Sequence, residues 1–294
     1  NVAVTEEWNA DVDVGAWASG NNMNSARHNY WGAGTQTAAL GIGGNTPPGA
    51  DVALVESYDG SSWTEVSDLN SASRGNAGGG TSTSALKTGG YDTDNQALTE
   101  TWNGSSWTEV GDLNTARREL AGCAANSTAA LAYGGKTPPG TDVTESWNGS
   151  AWTEVSDLNT AKRALGGVGT STAALAFGGQ PSISETESWN GSAWTELNDM
   201  NSQRFALAGS GTNTATIAFG GAPTPSTSSM QALTEDWNGI SWVETSDLNT
   251  ARNYLASSVN GTTTAGLAFG GTTGSNTAAT EEWSGSSVTT KVLT

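Results

Sequence analysis

The chain has 294 residues, with 11 lysines and arginines against 29 aspartates and glutamates, so its formal net charge is −18. A surface this acidic repels phosphate backbones and anionic lipid headgroups, so nucleic acid is not an expected partner. No run of eighteen apolar residues occurs, so membrane insertion is not expected either. The single cysteine, Cys123, cannot form an internal disulfide and is predicted to be a small buried residue.

A repeated unit runs along the whole chain. It reads approximately T-E-x-W-N-G-S-x-W-T-E-V-S-D-L-N-T-A-R, followed by L-A-G-x-G-T-x-T-A-A-L-A-F-G-G. Its Gly-Gly pair occurs at 43–44, 89–90, 134–135, 178–179, 220–221 and 270–271. Successive pairs lie 42 to 50 residues apart, a period that is typical of a β-propeller when no helical pattern accompanies it. We therefore predict a single all-β propeller domain over residues 1–294.

The third copy of the unit shows four predicted strands, the number in one propeller blade. These strands cover 119–124, 128–133, 143–147 and 152–158. The last two are joined by Asn148-Gly149, a pair that favours the positive φ angles of a tight hairpin turn. The polar segment 136–142 between the second and third strands contains two prolines and is predicted to be a loop.

Aromatic residues recur in pairs, five positions apart across the hairpin turn. The pairs are Trp102 and Trp107, Trp147 and Trp152, Trp189 and Trp194, Trp237 and Trp242, and Tyr58 and Trp63. Because they occur in nearly every unit, we interpret them as core residues that pack between blades. The alternative is a set of exposed sugar-binding platforms.

The two ends of the chain both carry sequence for closing the propeller. The third-strand motif occurs seven times, from Glu6-Glu7-Trp8 to Glu281-Glu282-Trp283, while the first two strands occur six times. We predict six four-stranded blades, closed by an N-terminal hairpin within 1–24 and a C-terminal segment, 280–294. Seven blades are the alternative, if the two termini pair into an additional blade.

Arginine is rare and falls near one position of the repeat, just after the step that joins two blades. The arginines are Arg27, Arg74, Arg117, Arg163 (or Lys162), Arg204 and Arg252. The carboxylates expected on the same face are Glu56, Glu100, Glu145, Glu187 and Glu235. We predict a structural latch in which arginine–carboxylate bridges join neighbouring blades. The alternative is an arginine-lined mouth that binds an anion.

The connections between the second and third strands differ in length and content from unit to unit. A regular scaffold with one variable set of loops is typical of a binding face, although neutral drift explains variable loops equally well. The candidate binding residues are Pro47, Pro48, Tyr91, Lys136, Pro138, Pro181, Pro223 and Pro225. One loop also contains Asp92, Asp94 and Asn95, weak candidates for a calcium site because the glycine and glutamate of an EF-hand are missing.

No catalytic constellation stands out in the sequence. His28 is the single histidine, so it cannot form a triad or a metal cluster with others of its kind. Paired carboxylates recur in every unit, whereas a catalytic pair should break the repeat. We therefore expect no catalytic residues, no cofactor and no enzyme activity.

The Gly-Gly pair closing the second strand, the aromatic residue on the third strand and the tryptophan opening the fourth together resemble the Kelch repeat over essentially the whole chain. The resemblance implies a β-propeller. Galactose-oxidase-like Kelch enzymes need a tyrosine–cysteine cofactor and histidine copper ligands. This chain departs from that pattern because it has one histidine and one cysteine. The amino-acid sequence of the repeat, T-E-S-W-N-G-S-A-W-T-E-V-S-D-L-N-T-A, is also similar to Kelch-like arrays of marine and environmental phage structural proteins.

These features favour a non-enzymatic structural or binding module in an extracellular or virion setting. Its expected partners are a protein, namely a capsid, tail or fibre component or a second copy of the chain, or a surface glycan. Two alternatives stay open, a secreted polysaccharide-active enzyme and a multivalent lectin, each with its sites at the propeller mouth.

Overall fold

The computed structural model describes residues 15–181, 183–224 and 229–285. Within these ranges the chain forms 26 strands and no helix, so no described segment is a helix that could cross a membrane. The all-β prediction is confirmed.

The strands build six four-stranded antiparallel sheets, the blades 1 to 6. The chain enters through β1 (Ala16–Gly20), the outer strand of blade 6. Blade 1 contains β2 (Trp31–Thr35), β3 (Ala38–Ile42), β6 (Val55–Tyr58) and β7 (Trp63–Glu65), with a small hairpin of β4 (Asn45–Thr46) and β5 (Ala50–Asp51). Blade 2 contains β8 (Ala77–Thr81), β9 (Ser84–Tyr91), β10 (Asn95–Trp102) and β11 (Trp107–Glu109). Blade 3 contains β12 (Ala121–Asn126), β13 (Ala129–Tyr133), β14 (Thr144–Trp147) and β15 (Trp152–Glu154).

The second half of the chain repeats this order. Blade 4 contains β16 (Gly166–Thr170), β17 (Ala173–Phe177), β18 (Thr186–Trp189) and β19 (Trp194–Glu196). Blade 5 contains β20 (Ala208–Thr212), β21 (Ala215–Phe219), β22 (Thr234–Trp237) and β23 (Trp242–Thr245). Blade 6 contains β24 (Ala256–Ser257), β25 (Ala265–Phe269), β26 (Thr280–Ser284) and β1. The first strands of the six blades contact one another in a closed ring around the axis.

The predicted strands of the third unit are confirmed within a few residues, except that the fourth ends earlier. It stops at Glu154 because the chain then turns back, and the Asp157 carboxylate accepts a hydrogen bond from the Thr144 backbone N–H at 3.0 Å. An aspartate in this place therefore ends the outer strand and caps the start of the third.

Six blades close the ring, as predicted. β1 pairs with β26 in the register Trp17 to Trp283, the same register that joins Trp102 to Trp107 within blade 2. The N-terminal strand thereby supplies the outer tryptophan of blade 6. Of the predicted closing segments, 1–14 and 286–294 lie outside the described residues.

The paired aromatic residues lie in the core. Trp102, Trp147, Trp189 and Trp237 are 1–3% exposed, and their partners across the turn are 4–6% exposed. The second tryptophan of a pair also bonds to the previous blade: Trp152 Nε1 donates to the Thr99 hydroxyl at 2.9 Å, and Trp194 Nε1 donates to Thr144 at 3.0 Å. The structural interpretation of the tryptophans is confirmed.

Candidate binding face at the propeller axis

Buried ion pairs fix five of the six blade-to-blade connections onto the blade that follows each of them. Five pairs have N–O distances of 2.7–3.2 Å and almost completely buried side chains. These latch pairs are Arg27–Glu56, Arg117–Glu145, Lys162–Glu187, Arg204–Glu235 and Arg252–Glu281. Burial lowers the pKa of the four arginines, and the paired glutamate opposes that shift.

The Gly-Gly pair belongs to the same latch. Arg204 Nη1 donates to the carbonyl of Gly220, the first glycine of the pair in its own blade, at 2.9 Å. The second glycine of the preceding blade, Gly179, donates its N–H to the Arg204 carbonyl at 2.9 Å. A Cβ on Gly178 would lie 2.5 Å from that carbonyl, and its φ is +63°, so only glycine fits.

An asparagine completes each latch, and the sequence analysis did not single it out. Asn201 donates its backbone N–H to Glu235 Oε2 at 2.7 Å and its side-chain amide to the same oxygen at 3.0 Å. The same arrangement occurs in all six blades, with Asn24, Asn70, Asn114, Asn159 and Asn249. Its signal was present in the repeated Asp-Leu-Asn ending, where we expected only a blade junction.

Two of the predicted latch arginines lie elsewhere, although Lys162, which we gave as the alternative to Arg163, does form the latch of its blade. Arg74 and Arg163 follow the latch position by one residue, where Ser73 and Lys162 stand instead. Arg74 binds Asp51 at 2.9 Å, and Arg163 forms an ion pair with Glu119. The prediction aligned the letter R across units, whereas the backbone position selects the residue before it.

Blade 2 replaces its missing latch cation from a different strand. Lys87 on β9 is 1% exposed and lies directly opposite Glu100, at a position where the other blades have glycine or alanine. Burial lowers the pKa of Lys87 to about 8, and the Glu100 charge opposes that shift. Among the described residues, Lys87 Nζ has no hydrogen-bond partner, so this substitute is weaker than the arginines it replaces.

A closed ring of backbone hydrogen bonds encircles the axis on the latch face. Six residues, one from each blade, have positive φ and donate their N–H in turn to the carbonyl of the neighbouring member at 2.6–2.9 Å. The members of this axial ring are Asn29, Gly75, Glu119, Ala164, Ala206 and Tyr254. Five non-glycine residues in the left-handed region are held there by the closure of the ring.

The residues just outside the axial ring differ in every blade. Each blade contributes one pair joined by backbone bridges, and we name these twelve residues the mouth. They are His28 with Asn45, Arg74 with Tyr91, Arg118 with Lys136, Arg163 with Gln180, Phe205 with Ala222, and Asn253 with Thr272. No two pairs share a composition, although the latch beneath them is repeated.

Within the part of the chain that the structure describes, the accessible positive charge is concentrated at the mouth. Of the ten lysines and arginines in the described ranges, six are at most 1% exposed. The other four, Arg74, Arg118, Lys136 and Arg163, are all mouth residues of blades 2 to 4. On the opposite side the mouth is apolar, where Phe205, Ala206 and Ala222 form a buried cluster with Tyr254 packed against it.

The mouth opens over a closed floor. Trp31 begins the inner strand of blade 1 where the other blades have alanine or glycine, and it packs across the axis against the cores of blades 2 to 4. A cavity of ≈ 50 Å³ lies between Trp31, Leu120 and the axial ring. The Tyr254 ring lies edge-on to the rings of His28 and Phe205, each at a centroid distance of 6.2 Å. Burial raises the pKa of Tyr254 to about 12.

The opposite end of the axis is plugged by blade 6. Its connection from β24 to β25 is two residues longer than that of blade 5, counted from Leu255 to Phe269 and from Leu207 to Phe219. The extra length buries Val259 and carries Asn260 across the axis, where Nδ2 donates to Gly80 at 2.9 Å and to Ala124 at 3.1 Å. The axis is therefore a cup that opens on the mouth side only.

The predicted binding loops lie at different distances from this cup. Tyr91 and Lys136 belong to the mouth, whereas Pro47, Pro48, Pro138 and Pro181 are exposed beyond it and Pro223 is half-buried. Pro225 lies outside the described residues. His28 is a mouth residue whose Nδ1 is buried without a hydrogen-bond partner, and burial lowers its pKa.

The weak calcium candidates form a tight hairpin between β9 and β10. Asp92 N–H donates to the Asp94 carbonyl at 3.2 Å, and both carboxylates are exposed. Asn95 is engaged elsewhere, because its oxygen accepts from Arg118 at 2.9 Å and its nitrogen donates to the Lys136 carbonyl at 2.9 Å. Across the described ranges, no group of three or more histidine, cysteine or acidic side chains is arranged to hold a metal ion.

Comparison of the chain with protein-family models gives no match, and comparison with curated proteins gives none either.

Proposed function

We propose that this chain is a non-enzymatic binding module whose ligand contacts are made at the mouth. One observation carries the proposal: the latch ion pair and the tryptophan pair each recur in five of the six blades, while no two blades share the same pair of mouth residues. A scaffold that is repeated for stability and varied at one end of its axis is the arrangement that recognition of a single ligand requires.

The proposed setting is an extracellular or virion surface. The Kelch-like repeat and the similarity of its sequence to phage structural proteins support a role as a decoration, tail or fibre component. The net charge of −18 suits a solvated particle surface. The partner is then a capsid, tail or fibre protein, a second copy of the chain, or a glycan. Nucleic acid and membrane insertion are not part of the proposal.

The proposal favours one mouth over several equivalent sugar sites. A lectin with one site per blade would expose its repeated tryptophans, yet Trp147, Trp189 and Trp237 are 1–2% exposed. Their indole nitrogens donate to carbonyls within their own blades at 3.0–3.2 Å, so they have no free donor for a sugar.

A polysaccharide-active enzyme is the second candidate, and a single assay separates the two. The chain is incubated with a panel of soluble polysaccharides while retention on the same immobilised polymers is measured, together with retention on purified particles of the source. We expect retention without new reducing ends or unsaturated products. Time-dependent cleavage that disappears after substitution of Glu119, the carboxylate of the axial ring, would replace the binding module with an enzyme.

A further inference from the structure

We propose that Arg118 and Lys136 form a binding subsite for the oxyanion of an acidic polysaccharide, either a uronate carboxylate or a sulfate ester. This inference rests on the proposed function, since it names the ligand class of the same mouth.

Arg118 and Lys136 are the two mouth cations without a carboxylate partner. Arg74 is neutralised by Asp51 and Arg163 by Glu119. Among the described residues, Arg118 contacts only the Asn95 amide oxygen and the Tyr91 ring, and Lys136 Nζ has no hydrogen bond or ion pair. In a chain with 29 acidic residues, two adjacent cations left unpaired at the mouth of a cup are an unusual arrangement.

Backbone pairing holds these two side chains together. Lys136 N–H donates to the Arg118 carbonyl at 2.6 Å, and Arg118 N–H donates to the Lys136 carbonyl at 3.4 Å. Residues paired in this way direct their side chains to the same side, with Cβ atoms about 5 Å apart. An ammonium group and a guanidinium group therefore face the same volume.

Blade 2 fixes the orientation of the Arg118 guanidinium before any ligand arrives. The guanidinium carbon lies 4.3 Å from the centroid of the Tyr91 ring, and Nη1 donates to Asn95 Oδ1 at 2.9 Å. Arg74 lies over the same ring at 4.7 Å, which holds a second positive charge close by. The remaining N–H groups of Arg118 are then presented as a rigid fork, the geometry that binds carboxylate and sulfate oxygens in a bidentate manner.

The surroundings favour an anionic sugar over other anions. Gln180 in the adjacent blade 4 offers a neutral amide suited to hydroxyl groups, while Thr272 and Tyr254 face the subsite from blade 6 across the axis. At physiological ionic strength the Debye length is about 8 Å, so acidic residues on the outer rim act only weakly at the mouth.

The test measures binding of the full chain to three immobilised polymers in 0.15 M NaCl: polygalacturonate, which carries carboxylates, dextran sulfate, which carries sulfate esters, and unmodified dextran. We expect binding to one or both acidic polymers and none to dextran. The double variant Arg118→Gln/Lys136→Gln should bind at least tenfold more weakly. The control variant Thr64→Glu/Thr153→Glu changes the net charge by the same amount on exposed outer strands and should bind as the wild type does.

Binding to polygalacturonate alone identifies the uronate, and binding to dextran sulfate alone identifies the sulfate ester. Three results would overturn the inference: no binding to either acidic polymer, equal weakening in both variants, or tighter binding to poly-L-glutamate than to both glycans. The chain could instead bind dextran or a protein, and the double variant could bind that ligand as well as the wild type does. Such a result would overturn this inference and leave the proposed binding module in place. Unchanged thermal unfolding of the double variant confirms that it is folded.

Discussion

The latch and the mouth lie within a few residues of each other on the same connections, yet they follow opposite rules. Arg117 is fully buried and its ion pair with Glu145 recurs in nearly every blade, while Arg118 is partly exposed and its position holds arginine in blades 2 to 4 but histidine, phenylalanine or asparagine in the other three. One residue of separation along the chain thus divides a structural charge from an accessible one. The comparison teaches that the buried, paired charges belong to the scaffold, whereas the charges that stay accessible lie at the mouth, where we propose that recognition occurs.

The latch and the mouth should differ most in how much a substitution lowers the free energy of unfolding. Replacing Arg204 with methionine leaves Glu235 buried without its cation, and we expect a loss of about 3–5 kcal/mol in the free energy of unfolding. The matched mouth variant Arg118→Gln removes a partly exposed group and should cost less than about 1 kcal/mol. Urea denaturation of both variants measures the difference. Equal losses would erase the distinction between latch and mouth.

Blade 2 offers a rescue experiment. Lys87→Ala leaves Glu100 without the nearby cation and should cost roughly 2 kcal/mol, less than an arginine latch because Lys87 Nζ makes no hydrogen bond with a described residue. Adding Ser73→Arg places the cation where the other blades have it and should restore most of that loss. A double variant no more stable than Lys87→Ala would show that Ser73 is not the latch position.

Lys87 should also make the stability of the fold depend on pH. Its pKa is lowered by burial to about 8 in the folded chain, against an ordinary value of 10.5. Between these values the unfolded chain binds more protons, so stability rises with pH. We expect the wild type to gain about 1 kcal/mol relative to Lys87→Met between pH 8 and pH 9. Parallel unfolding profiles for the two proteins over this window would contradict the assignment.

The smallest expected effect concerns Val55, a core position at which blade 1 departs from the repeat. Trp107 Nε1 has no hydrogen-bond partner among the described residues, because Val55 stands where the equivalent tryptophans of other blades find a threonine hydroxyl. Val55→Thr should therefore stabilise the fold by about 0.5–1 kcal/mol in thermal or chemical unfolding. Val168→Thr, at a buried site with no orphan donor, should instead destabilise it, and destabilisation by both would refute the explanation.

Most of the fold could be predicted from the sequence, but only part of the candidate site could. The period, the Asn-Gly turns and the tryptophan pairs predicted six four-stranded blades, because each of these signals is local and repeated. The axial ring was not predicted and the mouth only in part, through the candidate binding residues Tyr91 and Lys136, since both features arise when residues about 45 positions apart meet at the axis. Arg74 and Arg163 were misaligned because the alignment followed residue type, and Lys87 supplies its charge from a strand that no other blade uses for that purpose.

The most direct test of the central claim is a cryo-electron microscopy structure of the native assembly from which the chain comes. We predict that the density of the partner or glycan lies over the cup and contacts Tyr91, Lys136 and Tyr254, while every latch ion pair remains closed. Partner density on the outer strands or on the plugged end, with the cup filled only by solvent, would contradict the assignment of recognition to the mouth.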